Sequence, residues 1–320
     1  MVLLYSILSE SNAAGEERIL SMDTILELEQ LSVKYGKETA LTIGQPIRIL
    51  EGDRIGVIGS NGAGKSTLIK SVLGLVPYEG TIKTTLQPWQ IATHMQFNEY
   101  TTNMPVKYIM EGILDTRIAK NEHLQELIRY FEFEECLKKR YHHLSGGQKQ
   151  RLTIIMVMMQ NAPLTFYDEV TSGLDFETRQ RLVEKLLSWY RDKDGAVLMV
   201  SHYYEELQQF ADKLLILDQG HVLDFGKKKD LFDKYCGNAV LVVDHTPENA
   251  RLLSEYPKLI SPAHLLSISC ENAQKEAEIV KLLIEHDVNY KRSNEDIEMI
   301  YVNAKAAYEA QKEEEKNARA

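Results

Sequence analysis

GSNGAGKST, residues 59–67, is the stretch from which the rest of the chain is read. Gly59, four spacers and then Gly64, Lys65 and Ser66 make the spacing of a phosphate-cradling loop that opens a helix. Arg54 to Ile58 reads as a strand feeding that loop. From Ser66, TLIKSVLGL has helical spacing, with Leu68, Ile69, Val72 and Leu75 on one face and Pro77 marking its end. Glycines let successive backbone N–H groups converge on phosphate oxygens, and the following helix directs its positive end at the same charge. Ser60, Asn61, Gly62, Ala63 and Thr67 complete the cradle, and Lys65 would reach the β and γ phosphates. The Ser66 hydroxyl is placed to coordinate Mg²⁺. This strand, loop and helix make the chain a nucleotide protein of α/β class.

Two later stretches extend that reading. LSGGQ, Leu144 to Gln148, precedes KQRLTIIMVMM and reads as a helix start, where Ser145, Gly146 and Gly147 can offer a hydroxyl and backbone donors to an anion. Met156, Met158 and Met159 beyond it read as core packing. The apolar run LTFY then leads into Asp168 and Glu169. Asp168 at a strand end would hold the same Mg²⁺ through water, and Glu169 is the candidate catalytic base. Adjacent strand residues point in opposite directions, which would let one carboxylate serve the metal and the other the attacking water.

Composition narrows the partners. The chain has 320 residues, 44% hydrophobic and 26% charged, and a formal net charge of -10. That length suggests about two domains, and no run approaches the roughly 18 apolar residues of a membrane span. Nucleic acid is disfavoured, because phosphate backbones are held by clustered Lys and Arg. Cys136, Cys236 and Cys270 are odd in number, widely separated and without C-x-x-C spacing, so neither a metal knot nor a disulfide framework is expected and a reducing cytosol fits. VLLYSIL near the start lacks a basic flank and is followed by polar SESNAAGEER, against a signal peptide.

Residues 1–21 read as an N-terminal extension. Apolar alternation from Ile25 suggests a strand-rich opening section, and residues 97–160 have the texture of a helical insertion. After Gly226, strand-like LVVD and HLLSIS alternate with helix-like PENARLLSEYP and QKEAEIVKLLIEH, the pattern of a small C-terminal α/β domain over 227–320. A last helix is expected from Ser293, with Asp296 as its capping-box partner and Ile297, Ile300, Tyr301, Ala304 and Tyr308 on one face. QKEEEKNARA is expected to fray.

The ordered set, GSNGAGKST, LSGGQ and LTFYDE, resembles the ATP-binding cassette of ABC transporters over roughly residues 24–226. The resemblance implies a P-loop NTPase fold with an antiparallel β subdomain and a helical insertion. It implies ATP as ligand, Tyr35 stacking on adenine and Gln96 as the Q-loop glutamine that links the metal site to a membrane partner; Gln90 is a rival. Gln148 is the last residue of the signature. SGLD, Ser172 to Asp175, resembles the D-loop, and His202 corresponds to the switch histidine. Two departures are Val170, where the family most often has proline, which should loosen the turn slightly, and the unusually apolar IIMVMM helix.

In this family the signature of one subunit closes over the phosphate loop of another, so a homodimer with two sandwiched ATP molecules is implied. Membrane contact would run only through a separate permease, with Phe97, Tyr100, Met104 and Tyr108 as groove residues, at the cytoplasmic inner face of the cell membrane. The tail resembles those of ABC-2-type exporters of drugs, bacteriocins and lipids, which favours export. The alternative is a soluble ABC ATPase acting as a nucleotide switch on ribosome or DNA. A single cassette, no room for a coiled coil between Lys65 and Ser145, and the acidic charge speak against it. A catalytically dead module is disfavoured by Glu169 and His202.

Overall fold

Alternation from Ile25 onward folds as β1 (Thr24–Tyr35), which turns at Gly36 into β2 (Glu38–Thr42) and is followed by β3 (Ile47–Leu50). The computed structural model describes residues 24–95, 100 and 103–318; the N-terminal extension, Gln96 and Phe97 lie outside them. RIGVIG forms β4 (Arg54–Gly59), and the glycine-rich turn after it opens α1 (Lys65–Val72). Leu75 was expected on the buried face of that helix but is 51% exposed. The helix stops at Val72 and Gly74 turns left-handed (φ 67°), which takes Leu75 off the face.

The chain continues through β5 (Glu79–Thr84) and β6 (Ile91–His94), then helices α2 (Val106–Ile113), α3 (Glu122–Tyr130) and α4 (Gly146–Met158). It re-enters the sheet as β7 (Leu164–Asp168), α5 (Phe176–Tyr190), β8 (Ala196–Val200), α6 (Tyr204–Phe210), β9 (Lys213–Asp218) and β10 (His221–Lys227). Strands β9, β4, β8, β7 and β6 lie side by side and parallel. All five residues of β8 are buried, because both faces of a parallel sheet are covered. β1 pairs antiparallel with β2, β3 and β5. That antiparallel set joins the parallel strands where His221 of β10 bridges Thr42 of β2, whose N–H donates to Gly220 O at 2.6 Å.

Beyond α7 (Lys228–Cys236), a second sheet is built from β11 (Ala239–Asp244), β12 (Lys258–Leu259), β13 (Leu265–Cys270) and β14 (Lys291–Ser293), in the order β12-β13-β11-β14. Helices α8 (Pro247–Leu252), α9 (Ala273–Glu285) and α10 (Ile297–Ala318) complete the chain. Period-two alternation splits β11 between two cores. Ala239, Leu241 and Val243 pack with Leu253, Ile279 and Leu283 of the C-terminal unit, whereas Val240 joins the large core that also holds Phe232, Ile297 and Ile300 together with Leu207 and Leu214 of the first unit. Fully burying one such aliphatic side chain stabilises by roughly 1.5–3 kcal/mol, so this shared core binds the two units firmly.

The expected boundary at 226/227 falls inside β10, and α7 packs against β9, β10 and α10. The last helix also differs from expectation. Ser293 pairs with Val240 in the second sheet, and Asp296 is itself the cap, its Oδ1 accepting from Met299 N at 3.0 Å. The tail expected to fray stays helical to Ala318, since Ala, Gln, Lys and Glu are all good helix formers.

Candidate nucleotide-binding site

Four parallel strands deliver their carboxyl ends to one edge, where open α/β sheets characteristically hold ligands. In sheet order these ends carry Asp218 (β9), the Gly59 loop (β4), Ser201 and His202 (after β8) and Asp168 with Glu169 (β7). Asn61 to Thr67, with Ala40, Glu169 and His202, line a cavity of about 530 Å³.

The loop needs its glycines at two close approaches. A Cβ on Gly59 (φ 158°) would stand 2.3 Å from Leu217 O, and one on Gly64 (φ 99°) 2.7 Å from Ala40 O. Lys65 is buried, and its Nζ donates to Gly59 O at 2.7 Å and Ser60 O at 3.0 Å. Burial lowers the pKa of its ammonium, opposed by the charges of Glu169 and Asp168.

Ser66 Oγ donates to Asp168 Oδ2 at 2.8 Å. Asp168 is buried, and its Oδ1 has no hydrogen-bond partner. Burial raises its pKa first, with the Ser66 hydrogen bond opposing. A buried carboxylate oxygen without a donor, beside a serine hydroxyl, is a hard oxygen set that fits a small divalent cation. Among the described residues no group of three or more His, Cys, Asp or Glu side chains could hold an ion alone.

Glu169 was expected to diverge from Asp168 by strand alternation. Instead β7 ends at Asp168 and Glu169 turns left-handed, φ 52°, with its N–H donating to Val200 O at 3.0 Å. This turn brings Glu169 Oε1 to 2.8 Å from His202 Nε2. Val170 was expected to loosen the turn for want of proline. It is 1% exposed and packed in the large core, so burial holds the turn.

A buried carboxylate that sequence reasoning missed ties these loops together. Glu206 Oε2 accepts from Thr171 Oγ1 at 2.8 Å and Ser201 Oγ at 2.7 Å, linking the segment after Glu169 to the one before His202. Arg179 Nε lies 3.6 Å from its other oxygen, with the guanidinium 3.5 Å from the centre of the Tyr203 ring. The signal was an acid on the buried face of α6, beside Leu207 and Phe210. Asp218 was missed too, although LLILD ends in an acid as LTFYD does.

Ser145 caps α4, accepting from Gln148 N at 3.3 Å while Gln148 Oε1 accepts from Ser145 N at 3.1 Å. Ser145 and Gly146 are exposed, and Gly147 borders a different cleft with Leu174 and Thr178. None of the four signature residues lines the phosphate-loop cavity. Ser172 N donates to Glu169 O at 3.0 Å, and Asp175 caps α5. Tyr35 is half exposed at the β1–β2 hairpin, whose Ala40 lines the cavity. Gln90 is engaged elsewhere, its Oε1 accepting from Gln87 N at 2.9 Å.

A profile of the ABC transporter family matches residues 46–172. The linearmycin resistance ATP-binding protein LnrL of Bacillus subtilis is 28% identical over 294 residues, covering 83% of this chain and 92% of that protein. The manganese transport system ATP-binding protein MntB of Halalkalibacterium halodurans is 31% identical over 228 residues, 66% of this chain and 89% of that one. Among solved structures, an ATP-binding subunit of an ABC transporter superposes with a TM-score of 0.58 at 24% identity, over 66% of this chain and 93% of the other. With phosphate loop, capped signature helix and adjacent carboxylates arranged on this fold, the chain belongs to the ATP-binding proteins of ABC transporters and is an ATPase.

Proposed function

We propose that the chain is the motor of an exporter whose membrane-spanning part is a separate polypeptide, and that it works as a homodimer at the cytoplasmic face of the membrane. The observation that carries the dimer is the distance in the fold between halves of one chemistry. The phosphate loop, Glu169 and His202 share a cavity, while Ser145 and Gly146 are exposed at the start of α4, outside it. A second copy would bring its signature helix end to the first copy's nucleotide, closing two equivalent sites about a twofold axis.

Within each site, Ser66 and Asp168 would hold Mg²⁺, which supplies neutralisation of the phosphate charge. Gln96 lies outside the described residues, and its part in the metal site is carried over from the family resemblance. Lys65 binds the phosphates, Tyr35 stacks on adenine, Glu169 takes the proton of the attacking water, and His202 orients Glu169 through their 2.8 Å contact. Among the described residues no helix is long and apolar enough to cross a membrane, which supports a separate permease. Met104 and Tyr108 are exposed and would be free to contact it, whereas Tyr100 packs against Tyr141 in the core. Export rests on the resemblance of the C-terminal tail to those of exporter ATPases.

The test is a Glu169→Gln protein with ATP and Mg²⁺. Size-exclusion chromatography should show a dimer that wild type forms only transiently. A persistent monomer, with and without a co-expressed permease, rules the pairing out. Uptake of substrate into inside-out vesicles supports export, and efflux from them refutes it.

A further inference from the structure

The C-terminal unit reaches the phosphate loop directly. Asp218, at the end of β9, is 5% exposed. Its Oδ1 accepts from Ser60 Oγ at 2.6 Å and from the Tyr301 hydroxyl at 3.2 Å, and its Oδ2 lies 3.0 Å from Lys305 Nζ. Ser60 is the second residue of the phosphate loop, and its carbonyl accepts from Lys65 Nζ. One connected path therefore runs from α10 through Asp218 and Ser60 to the phosphate-binding lysine. Helix α10 cannot drift from this position cheaply, because Ile297, Ile300 and Ala304 are buried in the core shared with the first unit. The Tyr301 ring also stands 6.4 Å from that of Tyr204, two residues after His202.

The electrostatics give this path a purpose. A carboxylate one hydrogen bond from a loop that must receive a polyphosphate repels its ligand unless a cation offsets it. Burial pushes the Asp218 pKa upward, but the hydrogen bonds from Ser60, Lys305 and Tyr301 and the Lys305 charge prevail and hold it below the ordinary carboxylate value, so Asp218 is ionised. Lys305, from α10, is the cation that forms an ion pair with it.

We propose that Lys305 and Tyr301 are positioning residues for nucleotide binding: Lys305 cancels the Asp218 charge beside the phosphate loop, Tyr301 and Asp218 fix Ser60, and the C-terminal unit thereby sets the affinity for ATP. The proposal rests on the phosphate loop being the ATP site. A partner that shifts α10 would alter ATP affinity without touching the catalytic carboxylates.

The test compares full-length Lys305→Met, Lys305→Arg, Tyr301→Phe and the double variant Asp218→Asn with Lys305→Met, using a fluorescent ATP analogue and phosphate release. Lys305 is partly exposed, and thermal melts confirm that each variant is folded. Lys305→Met should raise Kd and KM on the order of tenfold with kcat little changed. Tyr301→Phe should act in the same direction more weakly, Lys305→Arg should keep wild-type affinity, and the double variant should recover most of the loss. Wild-type affinity in Lys305→Met overturns the proposal, as does a double variant no better than the single. Lys65→Ala is the control for the site: normal nucleotide binding there would refute the ATP site itself, whereas its loss with an unaffected Lys305→Met would refute only the role of α10.

Discussion

His202 Nε2 stands 2.8 Å from Glu169 Oε1, a contact made by two loops that leave neighbouring parallel strands. Removing either partner should therefore hurt turnover far more than binding. Glu169→Gln is expected to lower kcat by roughly 10²–10⁴-fold with ATP affinity near wild type. His202→Ala should lower kcat by a smaller factor, with Glu169 still present. Phosphate release and nucleotide binding, measured together, check this; near-normal hydrolysis by Glu169→Gln would take the base role from that residue.

Asp168 presents one buried oxygen without a donor and another held by Ser66. Chelating divalent metal should stop phosphate release, and Mg²⁺ should restore it. Asp168→Asn should raise the Mg²⁺ concentration for half-maximal activity by at least about tenfold. A Mg²⁺ titration unchanged by the substitution would contradict the assignment.

Glu206 should give the protein a distinctive dependence on pH. Burial raises its carboxyl pKa above the ordinary 4.5, with the Ser201 and Thr171 hydrogen bonds opposing. The native state thus keeps the proton to higher pH than the unfolded chain does. The stability contributed by this group is complete below about pH 4.5 and is lost as pH rises through the folded value. Glu206→Gln, which resembles the protonated form, should flatten that part of the profile. Urea unfolding between pH 4 and 7 measures the slopes, and identical slopes would contradict the prediction. Glu206→Ala leaves two buried hydroxyls without their acceptor and Arg179 without its paired charge, and should cost about 3 kcal/mol.

Ile300 lies wholly buried among residues of both units. Ile300→Ala should destabilise by about 2–5 kcal/mol and lower the whole melting transition, because the core it leaves is common property. Two separate transitions by calorimetry, only one of them shifted, would show that the units unfold independently.

The strand, loop and helix around Lys65 were legible because glycine, lysine and serine at fixed spacing constrain the backbone locally. Asp168, Glu169 and His202 were legible for a related reason, each following a short apolar run. Asp218 and Glu206 were harder to see. Their partners Ser60, Thr171 and Ser201 are supplied by loops that become neighbours only through the order of strands in the sheet. The last helix was read from Ser293 with Asp296 as its capping-box partner; the pairing of Ser293 with Val240, which local preference cannot reveal, moves the cap to Asp296. The two carboxylates were expected to diverge by strand alternation, whereas Glu169 lies past the strand end in a left-handed turn, which leaves no sequence mark when the residue is a glutamate.

That left-handed backbone at Glu169 sets function against durability. A residue with a Cβ gives up about 1 kcal/mol or more in this conformation, and glycine gives up almost none. Mutations that silence the motor at this position can therefore make the fold sturdier, so a screen for heat resistance alone would drift toward inert proteins. Only selection for work done would keep the glutamate there.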